Sequence, residues 1–375
     1  MFGKRITLFT VLGIRVGIDL SWIFLALLVA WSLAQGFFPM IHEGLPKLAY
    51  WWMGLAGVIG LFFSLVTHEL MHSVVARMFG TPVRGITLFA LGGVAEMEEE
   101  PGTPLGELLM ALAGPLTSAV LALLFHLIGD AGGALGLPEP LLVVISYLAA
   151  INILLAVFNM VPAFPLDGGR VLRAILWKAM GDLERATRIA AAGGDMFGWL
   201  LIAVGALNAI QGSFIGGLWW VLIGFFVRAA ARGTLNQQQA RRLLKGLKVS
   251  RYMTTDPICV PPGMAVSELV EDHIYRHHFD LFPVVDGDRL IGCVGPRQVQ
   301  GVPRAAWDRV SVGEIAVPSG PDNTIDADAE LLDALAAMRR SGAGRLMVAR
   351  QGQLAGIIVL KDLLELLALK LELEG

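Results

Sequence analysis

Long apolar segments in the first 232 residues are the feature that most constrains the fold of this chain. Most of them reach the roughly 20 residues that a membrane-spanning helix needs, and only the last is short. Backbone polar groups in lipid must find partners within their own segment, so the runs predict a bundle of about six helices. The segments are about Ile18–Phe38, Tyr50–Phe79, Leu105–Ile128, Leu141–Val161, Ala186–Ile210 and Gly217–Ala231.

The rest of the chain has the composition of a soluble α/β protein. Over all 375 residues only 16% are charged, against roughly 25% in soluble domains. We therefore predict a transmembrane domain over residues 1–232, a linker over 233–248 and a soluble domain over 249–375. The linker is basic, which favours a short helix on the inner membrane surface. The net charge of −3 gives no reason to expect a nucleic acid partner.

Basic residues are concentrated on one side of the predicted spans. They precede the first span and follow the second, fourth and sixth, which predicts a multi-pass protein of the cell (inner) membrane with both termini in the cytoplasm. Cys259 and Cys293 show no disulfide framework, in agreement with a reducing compartment. A cleaved signal peptide is the alternative for the first segment, but the polar stretch before it favours a retained span. The basic residues are Lys4, Arg5, Arg15, Arg77, Arg84, Arg170, Arg173, Lys178, Arg228, Arg232, Arg241 and Arg242.

The second apolar segment contains the pattern H-E-x-x-H, formed by His68, Glu69 and His72. Residues four apart share a helix face, so the two histidines can bind one metal ion, and Glu69 beside them can act as a general base. An ionisable group at bilayer depth costs about 2.5–3.5 kcal/mol, which favours a functional site over a structural role.

A catalytic zinc ion usually takes three protein ligands, so one more is needed. His42 should lie in a loop on the opposite side of the membrane, and His126 near the opposite end of the third span. Asp167 is a better candidate, because prolines and glycines break the helix around it, and broken backbone at membrane depth is tolerated where it lines a cavity. The alternative is that Asp167 caps a helix or turn and faces the cytosol.

H-E-x-x-H in one span, followed by N-x-x-P-x-x-P-L-D-G-G from Asn159 in a later one, resembles the site-2 proteases, which are intramembrane zinc metalloproteases. The resemblance implies one zinc ion per chain bound by His68, His72 and Asp167, and a water molecule activated by Glu69. It also implies that Asn159 contacts the substrate backbone or the oxyanion. The substrates would be transmembrane segments of membrane-tethered proteins.

The segment from Pro82 to Glu100 alternates apolar and polar residues around Gly92 and Gly93, which predicts a short hairpin or sheet edge. It could be a re-entrant loop packed on the bundle, or an exposed strand that pairs with an extended peptide. The family resemblance favours the second role and makes Gly92 and Gly93 substrate-binding residues. The stretch Ala113–Ser118 is similar to a small-residue motif of the family, and we interpret it as close helix packing.

Residues 249–303 and 310–371 repeat weakly, and each copy predicts a strand, a helix, two strands and a helix. This resembles a tandem pair of cystathionine-β-synthase (CBS) domains. The resemblance implies that the two copies associate, that the chain forms a homodimer, and that the pair binds ATP or another adenosine nucleotide. Asp362 stands where the family binds ribose, but Val359 replaces the expected hydroxyl residue. The first copy lacks both polar groups. His273, His277 and His278 have a spacing that could bind metal, but no nearby carboxylate or cysteine set completes a site, so we interpret them as a solvated or partly packed helix face.

The fold expected is therefore a polytopic α-helical membrane domain followed by a cytosolic α/β tandem CBS pair. The leading functional hypothesis is an intramembrane zinc endopeptidase regulated through that pair. A zinc transporter gated by the CBS pair would use the same ligands but would not need Glu69 as a base. A catalytically silent protein that binds membrane clients is the third hypothesis.

Overall fold

The structure is a computed structural model that describes residues 6–89, 92–97 and 101–374, with the side chains at 94–97, 215, 237 and 374 excepted. Lys4, Arg5 and Glu98–Glu100 lie outside these ranges. The chain divides into two compact units, Met1–Leu235 and Asn236–Gly375.

Among the described residues, six helices are long enough and apolar enough to cross a membrane, which agrees with the predicted number of spans. The last of them continues past Leu235 into the second unit. One short amphipathic helix, α5, lies between the fourth and fifth spans in the sequence. The helices are α1 (Leu20–Ile41), α2 (Lys47–Met78), α3 (Pro104–Ala134), α4 (Glu139–Asn159), α5 (Asp167–Met180), α6 (Leu183–Ile210) and α7 (Phe214–Leu244).

Polar residues fix where several of these helices begin. The side chains of Asp19, Thr103 and Asp182 each accept a hydrogen bond from a backbone N–H in the first turn of α1, α3 and α6. Gly181 ends α5 with a φ of +69°, a conformation that glycine adopts readily. The first span consequently starts at Leu20 rather than at Ile18, which belongs to a strand.

A four-stranded sheet packs beside the HExxH helix. Its strands are β1 (Ile6–Val11), β2 (Ile14–Ile18), β3 (Val83–Phe89) and β4 (Gly92–Met97), in that order across the sheet. Only the β2–β3 pair is parallel. The inner face of the sheet packs against α2 around Val66, one turn before Glu69. The sheet therefore positions the predicted hairpin β3–β4 next to the motif.

The strands β1 and β2 were not predicted. Leu12 and Gly13 both have positive φ and form a two-residue hairpin turn between the strands. The sequence predicts only a polar flank of the first span here.

Two predictions about the end of the membrane unit are wrong. The last span is not short, and the linker 233–248 does not start a separate helix, because α7 continues without interruption from Phe214 to Leu244. Arg173, one of the basic residues that follow the fourth span, lies on α5, where its side chain is 3% exposed and paired with Glu107 of α3.

The second unit is α/β, as predicted. Its main sheet has the order β5-β6-β10-β9-β8, and β7 pairs with β6. The second copy follows the predicted order of elements, whereas the first strand of the first copy is reduced to a bridge between Val260 and Val284. The elements are α8 (266–277), β5 (Phe282–Asp286), β6 (Arg289–Val294), α9 (Pro296–Gln300), α10 (Val312–Ile315), β7 (Val317–Pro318), β8 (Thr324–Asp326), α11 (Leu331–Ser341), β9 (Arg345–Arg350), β10 (Gln353–Val359) and α12 (Leu360–Glu374).

The two copies exchange the segments that lead into them. Val249, at the start of the first copy, is fully buried in the core of the second and donates a backbone hydrogen bond to Ala329. Thr254, also of the first copy, pairs with Ile357 of the second copy through an antiparallel backbone bridge. Conversely, Val312 is buried in the core of the first copy. Each core is therefore completed by residues from the other copy.

Candidate metal centre

The helix α2 presents His68 and His72 on one face, as their spacing predicted. Both residues are buried, with 4% and 6% of their surfaces exposed. Their Nε2 atoms are 3.1 Å apart, and their ring centroids are 4.8 Å apart. The two nitrogens therefore point at one place inside the helix bundle.

Asp167 joins this pair from the first turn of α5. Its Oδ2 lies 3.2 Å from the Nε2 atom of each histidine, and 13% of its side chain is exposed. A tight loop after Asn159 makes this placement possible. A Cβ on Gly168 would lie 2.3 Å from the carbonyl oxygen of Met160, and one on Gly169 would lie 2.2 Å from the backbone of Phe164. Both glycines are thus needed for the loop to fold back onto α5.

The three ligand atoms form a triangle with edges of 3.1–3.2 Å. A tetrahedral ion with bonds of about 2.0 Å separates its ligand atoms by roughly 3.3 Å. Two imidazole nitrogens and one carboxylate oxygen are also a donor set that suits catalytic zinc. The residues present therefore fit a zinc ion in both chemistry and spacing.

Hydrogen bonds on the far side of each ring support this fit. Nδ1 of His68 lies 2.9 Å from the hydroxyl of Ser118, and Nδ1 of His72 lies 2.6 Å from the carbonyl oxygen of Met110. A carbonyl oxygen only accepts, so His72 carries its proton on Nδ1 and leaves Nε2 free for a metal. Both partners lie on α3, which thereby orients the ring of each histidine.

Gly114 on α3 leaves the space between the two Nε2 atoms open. A Cβ at this position would lie 2.1 Å from Nε2 of His72 and 2.5 Å from Nε2 of His68. Such contacts are shorter than van der Waals separations and would fall on the ligand atoms. The small-residue stretch that we interpreted as plain helix packing therefore also borders the candidate site.

Glu69 lies against the strand β4. A Cβ on Gly93 would lie 2.4–2.8 Å from the Cγ, Cδ and Oε1 atoms of Glu69. The backbone of β4 therefore passes directly over the carboxyl group that the motif predicts as a base. Gly92 precedes it with a φ of +134°, a conformation essentially restricted to glycine.

The other predicted site residues are less defined. Asn159 is the last residue of α4 and is partly exposed, and Asp362 is exposed on α12. Val359 lines a cavity of about 530 Å³ together with Arg345 and Lys361. The roles of these residues remain predictions.

Sequence reasoning did not identify Ser118, Met110 and Gly114 as parts of the site. The short polar and small residues of α3 were visible, but which helix crosses α2 at the motif was not. Among the residues that the structure describes, His68, His72 and Asp167 are the one group of three metal-ligating side chains that meet. The rings of His273 and His277 lie 6.4 Å apart, in agreement with their interpretation as a helix face.

Comparison with known proteins finds matches over most of the chain. The family model for peptidase family M50 matches residues 56–134 and 137–204. Rip3 of Mycobacterium tuberculosis, whose name assigns it provisionally to the zinc metalloproteases, is 34% identical over 95% of this chain and 91% of its own length. The chain belongs to family M50. Zinc metalloprotease MJ0392 of Methanocaldococcus jannaschii is 30% identical to this M50 protein over 98% of both chains.

The CBS domain model matches residues 249–300 and 312–369 of the M50 protein. Among solved structures, a site-2 protease from Methanocaldococcus jannaschii is 28% identical and covers 62% of this chain and 95% of its own, with a TM-score of 0.44. CBSX2 in complex with AMP is 23% identical over 34% of this chain and 99% of its own, with a TM-score of 0.30. The protein is thus a membrane zinc metalloprotease that carries two CBS domains.

Proposed function

We propose that this protein is an intramembrane zinc endopeptidase that cleaves the transmembrane segments of membrane-tethered proteins. The observation that carries the proposal is the convergence of His68, His72 and Asp167 within 3.2 Å of one another on helices of the membrane unit. In this proposal the three side chains hold one zinc ion. Zinc in such a site supplies Lewis acidity, which polarises a carbonyl group and acidifies water.

Glu69 is the proposed acid–base residue. It follows His68 on α2, and its carboxyl group lies against the backbone of β4 at Gly93. In this position it takes a proton from the attacking water and then delivers that proton to the leaving amine of the peptide bond. Asn159 is proposed to bind the substrate backbone or the developing oxyanion.

The outer edge of β4 is the proposed substrate-binding surface. β4 is the last strand in the sheet order, and β3 is its one strand partner within the described part of the chain. A helical substrate must unwind before hydrolysis, because a helix holds its own amide and carbonyl groups in hydrogen bonds. Pairing with Gly92 and Gly93 would replace those bonds beside Glu69.

The CBS pair is the proposed regulatory unit. ATP or another adenosine nucleotide would bind near Asp362, although Val359 supplies no hydroxyl there. A homodimer formed through the CBS pairs would follow from the same family property. The basic residues at the ends of the spans support a location in the cell membrane with both termini and the CBS pair in the cytoplasm.

The decisive experiment compares the native chain with Glu69→Gln in proteoliposomes that contain a tagged single-span reporter protein, at equal zinc content. We expect the native chain to cleave the reporter and the variant to retain zinc without cleaving it. A zinc transporter would instead move zinc across the bilayer equally well with either chain. Binding of the reporter by both chains without cleavage, with and without ATP, would favour a client-binding protein and contradict the proposal.

A further inference from the structure

A second polar cluster, without any assigned role, lies inside the helix bundle. Asn152 of α4 is fully buried, and its Nδ2 group donates hydrogen bonds to Ser64 Oγ at 2.9 Å and to the carbonyl oxygen of Leu148 at 2.8 Å. Ser64 of α2 is fully buried as well and donates to the carbonyl oxygen of Gly60. These bonds join α2 and α4 at membrane depth.

The other half of the Asn152 carboxamide lacks a partner. Its Oδ1 atom is buried and accepts no hydrogen bond from any residue that the structure describes. Exchanging the oxygen and nitrogen of this group would place two carbonyl oxygens against each other at Leu148, so the orientation is fixed. A buried acceptor without a donor is costly, and in folded proteins such a group commonly binds an ordered water molecule.

The position of this acceptor connects it to the metal centre. Ser64 precedes His68 by four residues, so the two side chains lie one helical turn apart on the same face of α2. Ser118, the partner of His68, is a fully buried hydroxyl on α3. The hydroxyls of Ser64 and Ser118 therefore lie within about one turn of the ligand cluster, and Asn152 is hydrogen-bonded to the first of them.

We propose that Asn152 Oδ1 and Ser64 Oγ form a binding site for an internal water molecule beside the metal centre. Water is the ligand favoured by these contacts, because it both donates and accepts and is small enough for a fully buried position. A peptide N–H from substrate would require α2 and α4 to separate. Resting on the proposed protease function, we assign this water a role as a local supply for hydrolysis.

Radiolytic hydroxyl-radical labelling of the full chain in proteoliposomes, read by mass spectrometry, tests the site. Radicals formed from a bound water label the side chains next to it. Leu148 packs against Gly60 at this contact and serves as the reporter, whereas Leu121 is equally buried in α3 and serves as the dry reference. We expect several-fold more label on Leu148 than on Leu121 in the native chain.

Asn152→Leu should reduce the label on Leu148 to the level of Leu121, and the matched control Ile153→Leu, at an exposed position of the same helix, should not. Equal label on both leucines in the native chain overturns the water site, even if Asn152→Leu fails to assemble. So does label that appears only when the reporter substrate is added, because this would indicate a peptide ligand.

The labelling does not depend on catalysis and should persist in Glu69→Gln. The water site is therefore tested separately from the protease proposal. The supply role predicts that Asn152→Leu slows reporter cleavage several-fold while its zinc content stays native. A labelled site together with unchanged cleavage by Asn152→Leu would overturn that role.

Discussion

At the scale of residues, the geometry of the candidate site depends on two glycines, where an added Cβ atom would collide with site residues. Gly114 keeps α3 clear of the Nε2 atoms of both histidines, and Gly93 keeps β4 clear of the carboxyl group of Glu69. The first glycine borders the metal ligands and the second borders the proposed base. Substitution at these positions should therefore separate metal binding from catalysis.

Gly114→Ala should abolish zinc binding, because its Cβ would lie 2.1–2.5 Å from the ligand nitrogens. Zinc content after purification, measured by atomic absorption, checks this. Gly129→Ala on the same helix is the control, since its Cβ would meet only Ile145 at an ordinary 3.5 Å. Native zinc content in Gly114→Ala would contradict the assignment.

Gly93→Ala should retain zinc but lose most reporter cleavage, because the new Cβ displaces the Glu69 carboxyl group. A positional error of about 1 Å can cost ~100-fold in rate. Gly102→Ala serves as the control, because nothing lies within 4 Å of its added Cβ. Parallel losses of zinc and cleavage in Gly93→Ala would show that the strand supports the metal site instead.

Ser118→Ala should weaken zinc binding by about 10–100-fold, as expected when the partner of a metal-bound histidine is removed. Competition with a calibrated chelator measures this affinity. Thr117→Ala is the matched control, because the Thr117 hydroxyl donates only to the carbonyl oxygen of Ala113 on its own helix. An equal effect of both variants would indicate general damage to α3 rather than loss of the His68 contact.

The three side chains that meet at the candidate site could be predicted, the two histidines because their spacing on a helix carries the chemistry, and Asp167 because its motif resembles that of the family. His68, Glu69 and His72 share one helix, and Asp167 lies in a motif of prolines and glycines. Ser118, Met110 and Gly114 could not be assigned, since their roles depend on where α3 crosses α2. Helix crossings are set by packing in three dimensions, which a single sequence does not show.

At the scale of elements, α5 carries Asp167, the third candidate ligand, and a buried ion pair attaches this helix to α3. Arg173 donates to Glu107 of α3 at 2.6 Å, and its guanidinium lies 5.2 Å from the ring centroid of Phe164 in the loop before α5. Both charged side chains are almost fully buried. This ion pair therefore joins α5 to the same helix that orients the two histidines.

Arg173→Met should lower both thermal stability and zinc retention, because it removes the guanidinium that pairs with the buried Glu107 carboxylate. Breaking such a pair typically costs about 3–5 kcal/mol. The double variant Glu107→Leu/Arg173→Met should recover part of the loss, since an apolar pair of similar size removes the buried carboxylate as well. Thermal unfolding in detergent, followed with zinc content, distinguishes these outcomes. A double variant as unstable as Arg173→Met would contradict the explanation.

The membrane spans were easier to predict than the segments that flank them in the sequence. Apolar runs fix the presence of a helix in lipid, so the number of spans was correct, but helix ends depend on capping residues and shifted by a few residues. The strands β1 and β2 are short and flank a span, which hid their alternation. α7 extends beyond its apolar run because nothing between Gly233 and Leu244 stops a helix.

On the scale of the whole molecule, the soluble unit folds as one body despite its internal repeat. Val249 and Thr254 lie at the start of the first copy in sequence but pack and pair with the second, and Val312 does the reverse. The repeat in the sequence predicted two similar copies. It could not predict this exchange, because pairing between distant segments leaves no periodic signal.

Val249→Asp should destabilise the second CBS domain, although the residue is distant from it in sequence, because a charge would enter a fully buried apolar position. Limited proteolysis of the full chain should then release fragments from residues 324–374. Cys259→Ser, at an exposed position in the first copy, should keep the native pattern. Cleavage confined to the first copy would contradict the exchange.

The exchanged segments also impose an order of events during synthesis. The strand partner of Thr254 is Ile357, so this pairing must wait until roughly a hundred further residues have been translated, which takes several seconds at typical rates. By then the spans upstream have left the ribosome. The proposed regulatory unit can therefore reach its final form only after the membrane segments are in place, and a ribosome that stalls before Ile357 leaves a protease without a finished control domain.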